Sequence, residues 1–132
     1  MHKFEFFPIG WVRTECKNVP RHWSCSDVEG ELYIKKEFQK GLTGIEERDK
    51  IVVLFVFHKS PPFSPEKLMQ TPPTRSEPTG VFNTCSPIRP NPIGLSVLEV
   101  LEVKGNIIKV KGIDMFDGTP ILDIKPFKSP KT

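Results

Sequence analysis

The sequence predicts an all-β domain with one short helix, a small non-Rossmann β-barrel of about seven short strands. Three observations lead there. Runs of β-branched and aromatic residues recur in short blocks rather than long ones. Fourteen prolines and nine glycines separate those blocks, giving many turns and little room for helix. No block alternates with a helix-length apolar repeat, so the rhythm of a doubly wound α/β sheet is missing. At 132 residues the chain has the size of one domain, residues 1–132, large enough to close a single core.

The elements follow in order. Phe4 to Arg13 (FEFFPIGWVR) reads as a first strand, interrupted at Pro8 and Gly10, with Pro8 at an edge or bulge. Thr14 to Gly30 is polar and rich in turn residues. Glu31 to Lys36 (ELYIKK) is a short strand with Leu32 and Ile34 on one face. Gly41 to Lys50 predicts the small helix, with Thr43 as N-cap and Glu46 three residues on. Ile51 to Phe57 (IVVLFVF) is an unbroken apolar run, expected as a strand buried on both faces and ending at His58. Pro61 to Gly80 is proline-rich and polar, and too long for a simple connection, so it is expected to be functional or mobile. Leu95 to Val103 and Asn106 to Lys111 form two strands joined at Gly105 by a hairpin turn. After the Asp114–Thr119 turn a last strand, Ile121 to Ile124, leads into a short basic tail.

Between Gly80 and Ser96 lies the least ordinary stretch, GVFNTCSPIRPNPIGLS. Pro87, Pro90 and Pro92 exclude helix and a central strand, because proline fixes φ and brings no N–H to a ladder. The apolar flanks Val81, Phe82, Ile93 and Leu95 ask for burial. The loop carries Asn83, Thr84, Cys85, Ser86, Arg89 and Asn91. It reads either as a stiff polar wall for binding or as a structural corner.

Composition narrows the function classes. Hydrophobic residues at 37% and charged residues at 27% describe a globular chain. A formal charge of +3 permits an RNA partner without demanding one. The longest apolar run falls far short of the ~20 residues of a membrane helix, so no membrane partner is expected. Three cysteines without paired spacing point to a reducing, cytoplasmic setting. Cys16, His22 and Cys25, with the distant Cys85, lack the close cysteine pair usual in structural zinc sites, and no metal is expected.

No dinucleotide fingerprint, phosphate-binding loop or serine elbow is present. The aspartates Asp114, Asp117 and Asp123 could hold a hydroxyl pair, neutralise a cation or take a proton, or form an ordinary solvated turn. His58, at the end of the most apolar strand, could be a base, an anchor or a strand terminator. Cys85 has no legible partner and reads as an inert loop thiol.

Two blocks nevertheless resemble a known family. Gly80-Val-Phe with Ser86-Pro87-x-Arg89-Pro90-Asn91-Pro92-Ile93-Gly94-Leu95-Ser96 is similar to the signature of the TsaA-like family of TrmO-type tRNA methyltransferases. Asp114-x-x-Asp117-Gly118-Thr119-Pro120-x-x-Asp123-Ile124-Lys125-Pro126-Phe127 resembles the second signature of the same family. Ile9-Gly10 and Leu54-Phe-x-Phe-His58 also fit, so the likeness runs from about residue 8 to residue 127. Cys85 departs from the bacterial pattern, which has arginine there, so only a backbone contact can persist at that position. The turn at Thr14-Glu15-Cys16 lacks the familiar Ser-Pro-Tyr.

The resemblance implies a β-barrel that binds S-adenosylmethionine and methylates N6 of threonylcarbamoyladenosine beside the anticodon, acting on the tRNA anticodon loop. It implies a homodimer with the cofactor near the interface. Cofactor contacts carry over to Thr14, Glu15, Cys16, His58, Lys59, Cys85, Leu95, Asp114, Met115, Phe116 and Asp117. Catalysis is assigned to His58, Asp114 or Asp117, and substrate binding to Arg89 and Asn91. Two alternatives stay open: a methyltransferase of this family acting on another acceptor, and a non-catalytic RNA-binding barrel.

Overall fold

A computed structural model describes residues 2–128 of the chain, so the end of the basic tail lies outside the described residues. Among the described residues eight strands form, β1 (Gly10–Arg13), β2 (Glu29–Ile34), β3 (Lys50–Val56), β4 (Met69–Gln70), β5 (Thr79–Gly80), β6 (Ile93–Lys104), β7 (Ile107–Lys111) and β8 (Pro120–Pro126). Six of them close a barrel in the order β1-β2-β7-β6-β3-β8, and β4 and β5 make a separate two-stranded pair. The expected all-β barrel is therefore present, with eight strands in place of about seven. By compactness the chain has two units. One comprises the described residues up to Phe55 and from Leu95 onward, and the other is Val56–Gly94.

In the first unit alternation along the strands builds the core. Val12, Leu32, Ile34, Val53, Phe55, Leu98 and Val110 point inward and are buried. β1 and β2 pair antiparallel with Trp11 opposite Tyr33 and Gly10 opposite Ile34. Gly10 is required there: a Cβ on it would lie 2.1 Å from the Tyr33 carbonyl oxygen. Gly105, at φ +62°, turns β6 into β7 as the sequence predicts. Register shifts interrupt β6 between Val100 and Glu102, and β3 between Leu54 and Phe55. Such bulges add the twist and bend that closing a short-stranded barrel requires.

Several expectations are corrected. The first strand begins only at Gly10, and Phe4, Phe6 and Phe7 are exposed. Pro8 lacks the N–H that would extend the ladder. The helix is a 3-10 segment at Lys36–Leu42, and Thr43 closes it rather than opening it, donating its hydroxyl to the Lys40 carbonyl at 2.7 Å. β3 is buried on one face and half-buried on the other, because a barrel strand has only one inward side.

In the second unit the long proline-rich stretch has structure of its own. A 3-10 turn at Pro65–Leu68 leads into β4, which pairs with β5 through Met69–Gly80 and Gln70–Thr79. Of the apolar flanks of the following loop, Val81 is buried, whereas Phe82, Ile93 and Leu95 are exposed. Val81–Asn83 is a 3-10 turn, so the loop is entered from a turn and not from a core strand.

Candidate functional site

In the barrel unit, Gly112 carries the chain out of β7 with φ +109° and leads into the Asp114–Thr119 turn. The Gly112 and Ile113 N–H groups both donate to the Val28 carbonyl, at 2.9 and 3.0 Å. The Ser26 hydroxyl donates to the Ile113 carbonyl. These bonds tie the turn to the segment preceding β2. At its far end the Gly118 N–H donates to Val12 O at 2.8 Å, and the Thr119 hydroxyl donates to Phe116 O at 2.6 Å. The turn is thus braced at both ends before any ligand is considered.

Within it the two aspartates have different surroundings. Asp114 Oδ1 accepts the Ser96 hydroxyl at 2.6 Å, and Ser96 itself is fully buried on β6. Burial lifts the Asp114 carboxyl above the ordinary carboxylate range. The Ser96 hydroxyl, the charge of His22 and the Trp23 and Asp114 N–H groups oppose that rise. Asp117 is exposed, and its Oδ1 accepts the Thr14 N–H at 3.0 Å. Thr14, almost fully buried, directs its own hydroxyl to the Glu29 carbonyl at 3.4 Å and accepts the Cys16 N–H at 3.2 Å. Thr14, Cys16 and Asp117, widely separated in sequence, therefore form one network at the end of β1, while Asp114, at the start of the same turn, is held by Ser96. Glu15 is exposed between them, and Asp123 lies on β8, 3.3 Å from Lys125.

Of the remaining barrel candidates, Leu95 and Phe116 are about half exposed, as apolar ligand contacts would be. Met115 is buried as a whole residue and belongs to the core.

The sequence reading missed three members of this cluster. Ser96 was legible in hindsight as the lone hydroxyl on an inward position of an apolar strand. His22 caps the 3-10 turn Trp23–Cys25, taking the Ser24 N–H on Nδ1 at 3.2 Å. Trp23 follows it, its ring centroid 5.0 Å from that of His22. Nothing local in the sequence links these two to Asp114. Among the described residues no group of three His, Cys, Asp or Glu side chains has the geometry to hold a metal ion.

In the other unit, His58 is exposed just beyond β3, and its N–H turns back onto the Val56 carbonyl at 2.9 Å. Lys59 and Cys85 are exposed as well. Arg89 braces the proline loop, with Nη1 donating to the Thr84 and Ser86 carbonyls, both at 3.1 Å. Ser86 Oγ accepts the Ile88 N–H, and Gln70 donates to the Ile88 carbonyl at 2.8 Å. Asn91 is exposed, and its carbonyl accepts the Ile93 N–H at 2.7 Å. The loop is thus held by side chain to backbone bonds as well as shaped by its prolines.

The chemistry of the barrel cluster suits a nucleoside carrying a positive centre. Carboxylates accept ribose hydroxyls and neutralise a cation, and exposed apolar side chains take a purine face. Comparison with known proteins agrees. The profile of the tRNA-methyltransferase O N-terminal domain family matches residues 12–130. A probable S-adenosyl-L-methionine-binding protein of Pyrococcus abyssi is 42% identical over 91% of this chain and 66% of its own length. The human tRNA (adenine(37)-N6)-methyltransferase is 41% identical over 91% of this chain and 29% of its own. The crystal structure of TrmO from Pseudomonas aeruginosa superposes with a TM-score of 0.76 at 31% identity, covering 96% of this chain and 57% of that one. The chain thus spans from under a third to about two thirds of these relatives. By sequence and by fold together, it belongs to the tRNA-methyltransferase O N-terminal domain family.

Proposed function

We propose that the chain is an S-adenosylmethionine-dependent methyltransferase acting on N6 of threonylcarbamoyladenosine beside the tRNA anticodon. The observation that carries this reading is the hydrogen bond between Ser96 and Asp114. Ser96 ends the first block of family-like sequence and Asp114 begins the second. Each block supplies one partner of this hydroxyl–carboxylate pair. The relatives' names support a cofactor and an acceptor of this class.

Asp114, Asp117 and the Thr14–Cys16 turn would hold the cofactor in the barrel unit, with Leu95 and Phe116 against its base. S-adenosylmethionine supplies an electrophilic methyl group on a sulfonium. Alignment of donor and acceptor contributes up to about 7–11 kcal/mol to such a transfer. The acceptor N6 is a weak nucleophile, because its lone pair is delocalised into a carbonyl and a purine. A base that removes its proton is worth about 10²–10⁴-fold. Asp114 has the environment for this: burial raises its proton affinity, and the Ser96 hydroxyl fixes one of its oxygens. Asp117, whose Oδ1 takes a backbone N–H, serves the cofactor and the integrity of the turn.

His58, Lys59 and Cys85 are retained as cofactor contacts on the sequence resemblance, Cys85 through its backbone. For substrate, Arg89 carries five N–H donors, so one nitrogen can brace the loop while others meet a carboxylate or phosphate. Asn91 is retained beside it. The resemblance also supports a homodimer working in the cytoplasm, with residues 1–132 as one functional domain. Sedimentation at micromolar concentration showing only monomer would remove the dimer.

The test is methyl transfer from labelled S-adenosylmethionine to tRNA with and without the threonylcarbamoyl group. Transfer only to the modified tRNA supports the reading. Transfer to neither, with cofactor bound, points to another acceptor. RNA binding without cofactor binding points to a non-catalytic barrel.

A further inference from the structure

The outer face of β1 and β2 carries an arrangement that the catalytic reading does not use. Trp11 and Arg13 are the outward residues of β1, and both are exposed. Across the ladder Trp11 stands directly opposite Tyr33. Each ring has its own cation: Lys35 Nζ lies 5.4 Å from the Trp11 ring centroid, and the Arg13 guanidinium lies 5.7 Å from that of Tyr33. Two aromatic faces, each with a positive group, therefore form a single rung on a sheet surface.

From this we infer that the β1–β2 outer face is a stacking platform for single-stranded RNA, gripping the substrate outside the catalytic cluster. The inference rests on the RNA-acceptor reading above and adds where the RNA is held. Successive bases stack on aromatic rings while cations follow the phosphates, a combination that is sequence-tolerant. Aromatic rings each paired with a cation fit a polyanion with flat bases better than an apolar protein surface. Carboxylates are present at one end of the face: Glu31 stands opposite both Arg13 and Lys109, and Glu29 lies 3.9 Å from Lys109. The Trp11–Tyr33 rung itself carries no carboxylate, its next partners in register being Pro120 and Ile107.

The platform also runs into the candidate site. Thr14, which ties Asp117, follows Arg13 directly and lies three residues beyond Trp11. At ~3.3 Å per residue that separates the rung from the tie by about 10 Å along the strand. A strand of RNA lying on the rung is thus already led toward Asp117, within the same unit.

Intrinsic fluorescence and RNA titration test this. Trp11 and Trp23 are the two tryptophans, so the Trp23→Phe variant reports on Trp11 alone. A synthetic tRNA anticodon stem-loop should quench its emission saturably. Trp11→Ala with Tyr33→Ala should weaken stem-loop binding about tenfold or more. Arg13→Gln with Lys35→Gln should lower the salt slope by about 0.7 per cation removed. Calorimetric binding of S-adenosylmethionine should be unchanged in both double variants, which also shows that they fold. Unaltered stem-loop affinity in both double variants, or no quenching of Trp11 at saturation, overturns the platform while leaving the methyltransferase reading standing. Wild-type protein that binds cofactor but no stem-loop refutes both. Trp11 emission that varies with protein concentration in the absence of RNA assigns the face to self-association and overturns it as well.

Discussion

Ser96 Oγ donates to Asp114 Oδ1 at 2.6 Å, joining the inner face of the longest barrel strand to the turn that follows β7. A buried hydroxyl whose hydrogen is committed to a carboxylate fixes that carboxylate's orientation, and burial raises its affinity for a proton. Removing the hydroxyl removes the largest of the contributions that oppose the rise. Ser96→Ala should therefore move the acidic limb of the pH–rate profile to higher pH, with turnover at neutral pH reduced. Rates measured across the acid range check the direction.

Asp114 also makes a stability prediction of definite sign. Its folded proton affinity exceeds the unfolded one, so the folded chain retains a proton that the unfolded chain releases. The associated stability is present below the ordinary aspartate value of ~3.9 and is lost as pH rises through the folded value. Asp114→Asn cannot ionise and escapes that loss. Its melting temperature relative to wild type should rise between about pH 4 and about pH 8, while methyl transfer falls by roughly 10²–10⁴-fold. Calorimetry at both pH values reads the first effect.

The second aspartate behaves differently. Asp117 accepts the N–H of the almost fully buried Thr14, a partner 103 residues away. Asp117→Ala leaves that donor without its carboxylate and should cost about 1–3 kcal/mol in urea denaturation. Asp117→Asn keeps an acceptor oxygen and should cost less than about 0.5 kcal/mol. A structurally sound Asp117→Asn that binds S-adenosylmethionine weakly separates ligand contact from turn bracing.

Gly10 has no room for a side chain. The methyl of Gly10→Ala would fall 2.1 Å from Tyr33 O. Its nearest neighbours are all backbone atoms of Tyr33 and Ile34, with no flexible group to yield, so the cost should reach about 3 kcal/mol or more. Thermal unfolding checks this, and an unchanged transition would show that β1 and β2 can separate there.

Arg89→Lys should loosen the proline loop, because an ammonium cannot reproduce a planar fork braced on two carbonyls. Amide exchange should accelerate between residues 84 and 92, with global stability little changed.

How much of this was legible beforehand follows from the range of the interactions. The barrel strands announce themselves through β-branched and aromatic runs, and Gly105 announces its hairpin. Exposure does not: Phe4, Phe6 and Phe7 have strand composition, and only Pro8 and the absent ladder leave them outside. Thr43 and Glu46 carry N-cap chemistry, yet a 3-10 segment ending at Leu42 uses Thr43 as its closing residue. So short a segment leaves no apolar period to read. The aspartates were visible as a turn, but their unequal surroundings depend on Ser96, His22 and Trp23, contributed by distant parts of the chain.

The most direct measurement is labelled methyl transfer to threonylcarbamoyl-containing tRNA by wild type and by Asp114→Asn, each saturated with S-adenosylmethionine. The account predicts transfer by the wild type and a loss of about 10²–10⁴-fold in the variant at saturating cofactor. Full turnover by Asp114→Asn would contradict it.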